Sequence, residues 1–196
     1  MRQIAFFDFD GTITTKDTML EFIKYRKGNL GFLAGFALNS PFLVAYKAGI
    51  ISNQLAKERI LTFFFGKTSS NNFQEHCNQF ADEIIPGLIR PKALIEIKKL
   101  QDSGVEVVIV SASAEQWISK WCASMGVEMI ATRLISRSEK ITGRIDGRNC
   151  HGEEKVNRIR AAYNLSDYDA IYAYGDTKGD KPMLGLATFA FYKPFR

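Results

Sequence analysis

The sequence predicts an α/β fold in which a parallel sheet is sandwiched by helices and interrupted by an all-helical insertion. Three observations predict it. Residues 3–9 form a short apolar run that ends in aspartates, residues 17–85 are helical in pattern throughout, and from Pro86 onward strand-like and helix-like segments alternate. Such alternation implies parallel strands covered on both faces, with ligands bound at their carboxyl ends.

The first run, too short and apolar for an amphipathic helix, reads as a buried strand. Helical patterning follows over residues 18–27, 30–38, 41–47, 54–65 and 72–85. Ser40 followed by Pro41 looks like a cap with proline at the first helical position. Pro91 opens a helix to Asp102, and Gly104 leads into the strand 105–110. A helix over 114–125, a strand over 127–132 and a hairpin over 134–145 with a polar turn come next. The chain continues with a helix over 153–163, a strand over 170–174, a short helix over 181–186 and a last strand over 188–191.

The 196 residues suffice for one full core and a small inserted module. With 46% apolar and 24% charged residues the chain has the composition of a globular protein, and disorder is not indicated. The net charge of +5 is scattered rather than gathered in basic runs, which argues against nucleic acid and suits a phosphorylated metabolite or an anionic membrane surface. Cys77, Cys122 and Cys150 are widely spaced with no metal-ligand pattern, and the N-terminal segment lacks the marks of a signal peptide; a reducing cytoplasm fits both. Between Lys27 and Lys47, 19 residues carry no charge, close to the length of a membrane span, but Asn39, Ser40 and Pro41 in the middle favour two short helices joined by a turn.

Four motifs fall at strand ends. Asp8 and Asp10 in the first, Asp8-Phe9-Asp10-Gly11-Thr12, share one side of a strand by simple alternation, and adjacent carboxylates repel unless a cation or proton joins them. They are candidates for metal ligation, nucleophilic attack and acid/base work. Gly11 and Thr12 would let backbone amides approach an oxyanion. A calcium-binding helical-hairpin loop is excluded, because its glycine and glutamate positions are Ile13 and Met19; a Gly-rich nucleotide loop ending at Gly66-Lys67-Thr68 is excluded by Leu61. The second motif ends a strand at Ser111 before a helix, a natural phosphate seat as well as a common cap. The third is Lys155 at a helix start, and the fourth is Gly175-Asp176-Thr177-Lys178-Gly179-Asp180, whose two aspartates lie about one turn apart. Four aspartates, a lysine and one Mg2+ sum to a single negative charge, so a phosphate dianion calls for a further proton. Asp10 is its natural seat, since a leaving oxygen needs one.

The order of these motifs resembles the haloacid dehalogenase superfamily of phosphohydrolases, in its phosphoserine-phosphatase-like branch, subfamily IB. The resemblance implies a Rossmann-like core at residues 1–14 and 87–196 and a helical class I cap at 15–86. It implies that Asp8 attacks phosphorus, and that Asp10 protonates the leaving alcohol and later activates water. Mg2+ would be held by Asp8, Asp176 and the main-chain carbonyl of Asp10, with Asp180 steadying the metal's water shell or Lys155. Ser111 and Lys155 would bind the phosphoryl oxygens, with Gly11, Thr12 and Ala112 completing the seat.

For the substrate, Asp17 and Arg59 occupy positions where phosphoserine phosphatases bind the amino and carboxylate groups, although Asp17 also reads as a helix cap. The apolar stretch 30–48 is instead similar to the cap of C-type phosphatidylglycerophosphatases, as is the ending Cys150-His151-Gly152-Glu153-Glu154-Lys155. Flanked by Lys24, Arg26, Lys27 and Lys47, it could rest on an anionic bilayer and admit a lipid headgroup, or form the cap's own core or a dimer contact. A small-metabolite phosphatase, a phosphotransferase or mutase, and a catalytically silent phospholigand-binding protein are the alternative readings.

Overall fold

The computed structural model describes residues 2–196, and its centre is a five-stranded parallel sheet. The strands are β1 (Gln3–Phe7), β2 (Glu106–Ala114), β3 (Glu128–Thr132), β6 (Ala170–Gly175) and β7 (Phe189–Tyr192), in the order β3-β2-β1-β6-β7. β1 is central, with Ala5 in register with Val107 on one side and Tyr172 on the other. Its alternating side chains bury both faces. Ile4 and Phe6 pack with Ile159 of α8 (Glu153–Ala162) and Met183 of α9 (Lys181–Leu184). Ala5 and Phe7 face the cluster holding Ile97 of α6 (Pro91–Asp102) and Trp117 of α7 (Glu115–Ser124). This two-sided burial explains why β1 is an unbroken apolar run.

Between β1 and α6 lie α1 (Thr18–Leu38), α2 (Ser40–Lys47), α3 (Asn53–Phe65), α4 (Ser70–Glu83) and α5 (Ile85–Leu88), with no strand among them. Phe22 of α1 joins them to the core: it packs against Phe65, Phe73 and Phe80 and stacks on Trp117 with ring centres 5.4 Å apart. The predicted hairpin forms as β4 (Leu134–Arg137) and β5 (Lys140–Ile145), turned by Ser138 and Glu139 at positive φ. It docks on the insertion through Lys67 N–H to the Ile141 carbonyl and Ile141 N–H to that of Thr68, both 2.8 Å.

Several boundaries differ from expectation for local reasons. The two helices predicted over 18–27 and 30–38 are one element bent at Gly28, whose φ of 66° interrupts helical geometry. β1 stops at Phe7, and Phe9–Ile13 wind into a tight turn containing Gly11 at φ 82°. β2 runs on to Ala114, with a register shift after Ser111, so it delivers Ser113 as well as Ser111. The uncharged stretch does split after Leu38: α1 and α2 meet at 61°, and no single helix among the described residues is long and apolar enough to cross a membrane.

Candidate active site

The strand ends of β1, β2 and β6 meet the insertion around a cavity of about 490 Å3. At its floor Lys155, 1% exposed, donates to Asp8 Oδ1 (2.6 Å), Asp180 Oδ1 (2.7 Å) and the Val110 carbonyl (2.8 Å). The first turn of α8 thus aims a buried ammonium at carboxylates from two strand ends. Asp8, Asp176 and Asp180 offer oxygens that all lie within 4.8 Å of one another. The Thr12 hydroxyl lies 3.1 Å from Asp8 Oδ2 and 3.3 Å from Asp176 Oδ1. Gly11 is required beside them: a Cβ there would sit 2.6 Å from Asp176 Oδ2, at a φ only glycine adopts readily.

Electrostatics follow from burial. Burial pushes Asp8 up to about 7 against the opposing pull of Lys155. For Asp180 burial also disfavours the charged form, but Lys155 and the hydrogen bonds from Lys155 and Thr177 outweigh it and hold the pKa below the usual carboxylate value. Burial alone would lower Lys155; Asp8 and Asp180 reverse that and hold it firmly protonated. Asp176 is raised, first by burial, with Arg196 opposing; the Arg196 guanidinium pairs with its Oδ2.

The predicted residues separate into groups. Asp8, Asp10, Gly11, Ala112, Lys155 and Asp180 line the cavity. Asp10 does not stand beside Asp8 by strand alternation, because the strand has already ended. Its carboxylate leaves the acidic cluster and accepts from the Thr18 amide (2.8 Å) and hydroxyl (2.7 Å) and from the Ser113 hydroxyl. Ser111 is fully buried, and its Oγ accepts from Ser113 N–H at 2.9 Å. The Gly11 amide donates to Thr14 Oγ1 at 3.2 Å.

Asp17 both caps α1, accepting from Leu20 N–H at 3.0 Å, and lines the cavity mouth. Arg59 is not brought to the site: it is exposed, its guanidinium 4.4 Å from the centre of the Phe42 ring. The cation that α3 sends inward is Lys57, which donates to the Ala112 carbonyl and lies 3.3 Å from Asn149 Oδ1. Arg59 lies two positions after Lys57, about 200° around a helix. Burial lowers the Lys57 pKa, with Asp10 and Asp17 opposing.

Sequence reasoning also passed over Thr18, Ser113 and Asn149, and gave no catalytic role to His151, which lines the cavity. The His151 ring fits against Gly179, where a Cβ would approach to 2.1 Å, and its pKa is lowered by burial and then by Lys155. The three cysteines are buried thiols; burial pushes Cys150 up to about 11 and Cys122 to about 12, which removes them as nucleophiles.

Asp17 yields a stability prediction. Although Asp17 remains exposed to solvent, partial desolvation at the cavity mouth and the nearby Asp10 charge raise its pKa to about 6, with the Leu20 amide and then Lys57 opposing. A carboxyl raised on folding binds protons more readily in the native state, so its contribution to stability falls as pH rises from 3.8 to about 6. Asp17→Asn keeps a good cap and removes that ionisation. Thermal melts are expected to show the variant more stable than wild type at pH 7 and level with it below the ordinary carboxylate range.

The sheet order, the carboxylates at its strand ends and the buried lysine define an α/β protein with a cluster of charged groups at the carboxyl ends of its parallel strands. Residues 5–185 match the haloacid dehalogenase-like hydrolase family, and the chain belongs to that family. It is 34% identical over 192 residues to protein CicA of Caulobacter vibrioides, covering 97% of this chain and 85% of that one. It is 26% identical to the histidinol-phosphatase of Neisseria meningitidis, covering 96% and 88% of the two chains. The fold is also that of phosphoserine phosphatase, solved as an analogue of its phospho-aspartyl intermediate, with a TM-score of 0.67, 17% identity and coverage of 95% and 83%.

Proposed function

We propose that the protein is a Mg2+-dependent phosphomonoester hydrolase that forms an aspartyl phosphate on Asp8. The observation that carries this reading is Asp8 itself, buried at the cavity floor between Lys155 and the carboxylates of Asp176 and Asp180. An Asp8 carboxylate oxygen forms the new bond to phosphorus as the bond to the substrate oxygen breaks, and Asp10 gives that oxygen its proton. Water then attacks the phosphorus of the aspartyl phosphate and yields its proton to Asp10; inorganic phosphate leaves and the Asp8 carboxylate returns. Lys155 and Ser111 hold phosphoryl oxygens, with Gly11, Thr12 and Ala112 around the seat.

Three carboxylates within 4.8 Å against one buried lysine suit a hard divalent cation with oxygen ligands. Asp8, Asp176 and the Asp10 main-chain carbonyl would hold Mg2+, with Asp180 supporting them. Bound there, it offsets the charge of the carboxylates and of the phosphate. On this reading residues 15–86 are the cap, and 1–14 with 87–196 the catalytic core.

The cavity wall supports an amphiphilic substrate. Met19, Leu20, Phe36, Leu43, Tyr46 and Ile60 line it above the polar floor. Outside the cavity Leu30 of α1 (85% exposed), Val44 of α2 (65%) and Ile50 in the turn after α2 (77%) are exposed, and Lys24, Lys27 and Lys47 lie close to them in sequence. A lipid-headgroup phosphate such as phosphatidylglycerophosphate, taken from the cytoplasmic face of an anionic membrane, fits these features. Asp17 and Lys57 at the mouth favour the second reading, a small zwitterionic metabolite such as phosphoserine or histidinol phosphate.

One panel tests both readings. It comprises para-nitrophenyl phosphate, phosphoserine, histidinol phosphate, sugar phosphates and phosphatidylglycerophosphate in anionic vesicles, with Mg2+ or with chelator. The expected result is phosphate release that chelation stops and Mg2+ restores, with the highest kcat/KM on the vesicle lipid. Turnover of the small esters alone removes the lipid reading, and no release from any member overturns the enzymatic one.

A further inference from the structure

Asp10 is gripped from three directions, by groups that the cleavage chemistry described above does not use. The Thr18 amide and hydroxyl both lie within hydrogen-bond distance of Oδ1, at 2.8 and 2.7 Å, and the Ser113 hydroxyl donates to Oδ2. Thr18 Oγ1 and Ser113 Oγ are 2.7 Å apart, and the Trp117 indole N–H donates to Thr18 Oγ1 at 3.2 Å. Thr18 and Trp117 are fully buried and Ser113 is 1% exposed, so water reaches these bonds only from the side on which Asp10 lines the cavity. The Ser113 backbone is itself pinned by its amide on Ser111 Oγ.

The three residues come from different parts of the fold. Thr18 is the first residue of α1 in the helical insertion, Ser113 is at the end of β2, and Trp117 is in α7. Asp10 lies in the turn after β1 with non-helical φ and ψ, directly before Gly11 at positive φ, so its own backbone does not fix the carboxylate's direction.

We propose that Ser113 and Thr18 are positioning residues that orient the Asp10 carboxylate toward the substrate's leaving oxygen, with Trp117 holding Thr18. The acid is thereby in register only when the first turn of α1 is docked on the core. This rests on the reading of Asp10 as the acid. Its consequence is a coupling between the insertion that selects the substrate and the group that completes the cleavage.

The test is leaving-group dependence, because a nitrophenolate departs without a proton and an alkoxide does not. Ser113→Ala and Thr18→Val each remove one hydroxyl, and Thr18→Val keeps the backbone amide. General acid catalysis contributes about 10²- to 10⁴-fold, so misorienting the acid is expected to lower kcat/KM for an alkyl phosphate by roughly 10- to 100-fold. On the same scale kcat/KM for para-nitrophenyl phosphate should change by less than about threefold, and Ser113→Thr should restore alkyl turnover. Equal losses on both esters, or no loss on either, overturns the proposal. Asp10→Asn separates the two claims: if it too affects both esters equally, the acid reading fails, whereas discrimination by Asp10→Asn without any by the hydroxyl variants leaves the acid in place and refutes the positioning. Should Ser113→Ala not fold, Thr18→Val gives the same reading alone.

Discussion

Asp8→Asn is expected to abolish phosphate release while leaving the fold intact. The amide has the shape of the carboxylate, so Thr12 and Lys155 keep a neighbour of the same size, and Lys155 retains Asp180 at 2.7 Å as its counter-charge. The amide cannot form the acyl phosphate, and removing a catalytic nucleophile costs on the order of four to six decades in kcat. The check is steady-state turnover on the best ester of the panel, beside a thermal melt. A variant that melts like wild type and still turns over within about tenfold would remove Asp8 from the nucleophile's place.

Lys155→Met is the second large effect, and it falls on stability as well as rate. The ammonium is 1% exposed and holds Asp8, Asp180 and the Val110 carbonyl together. Methionine fills the space of the stem but leaves two buried carboxylates facing each other and Asp176. Breaking a buried pair from one side costs about 3 to 5 kcal/mol, and here two pairs lose the same partner. Denaturant titration in the absence of Mg2+ is expected to show a loss of about that size, with the midpoint partly restored by Mg2+, which supplies the missing positive charge to the same cluster. A variant as stable as wild type without Mg2+ would mean that the carboxylates are not held charged by Lys155.

The parallel sheet was legible because its strands are buried on both faces, which leaves uninterrupted apolar runs such as residues 4–7 and 107–110. Asp8, Ser111 and Asp176 were legible as candidates because each sits where such a run stops, whereas Lys155 stands in the first turn of a helix. What lay beyond the sequence depends on tertiary register. Alternation along a strand would put Asp8 and Asp10 together, but Gly11 turns the chain at once and sends Asp10 to Thr18 and Ser113. Apolar side chains encircle much of α3, so its pattern does not say which of Lys57 and Arg59 faces inward. The contact of Lys57 with the Ala112 carbonyl spans 55 residues, and that of Thr18 with Ser113 spans 95. No local pattern encodes distances of that kind.

The central claim is a covalent bond between Asp8 and phosphorus, and a rapid acid quench reads it directly. Wild-type protein turning over a phosphorus-labelled aryl phosphate with Mg2+ is quenched, digested and mapped. The predicted result is labelled phosphate on the peptide that carries Asp8, absent from Asp8→Asn. Label on another side chain, or sustained turnover with no labelled peptide under conditions that trap the acyl phosphate, would contradict it.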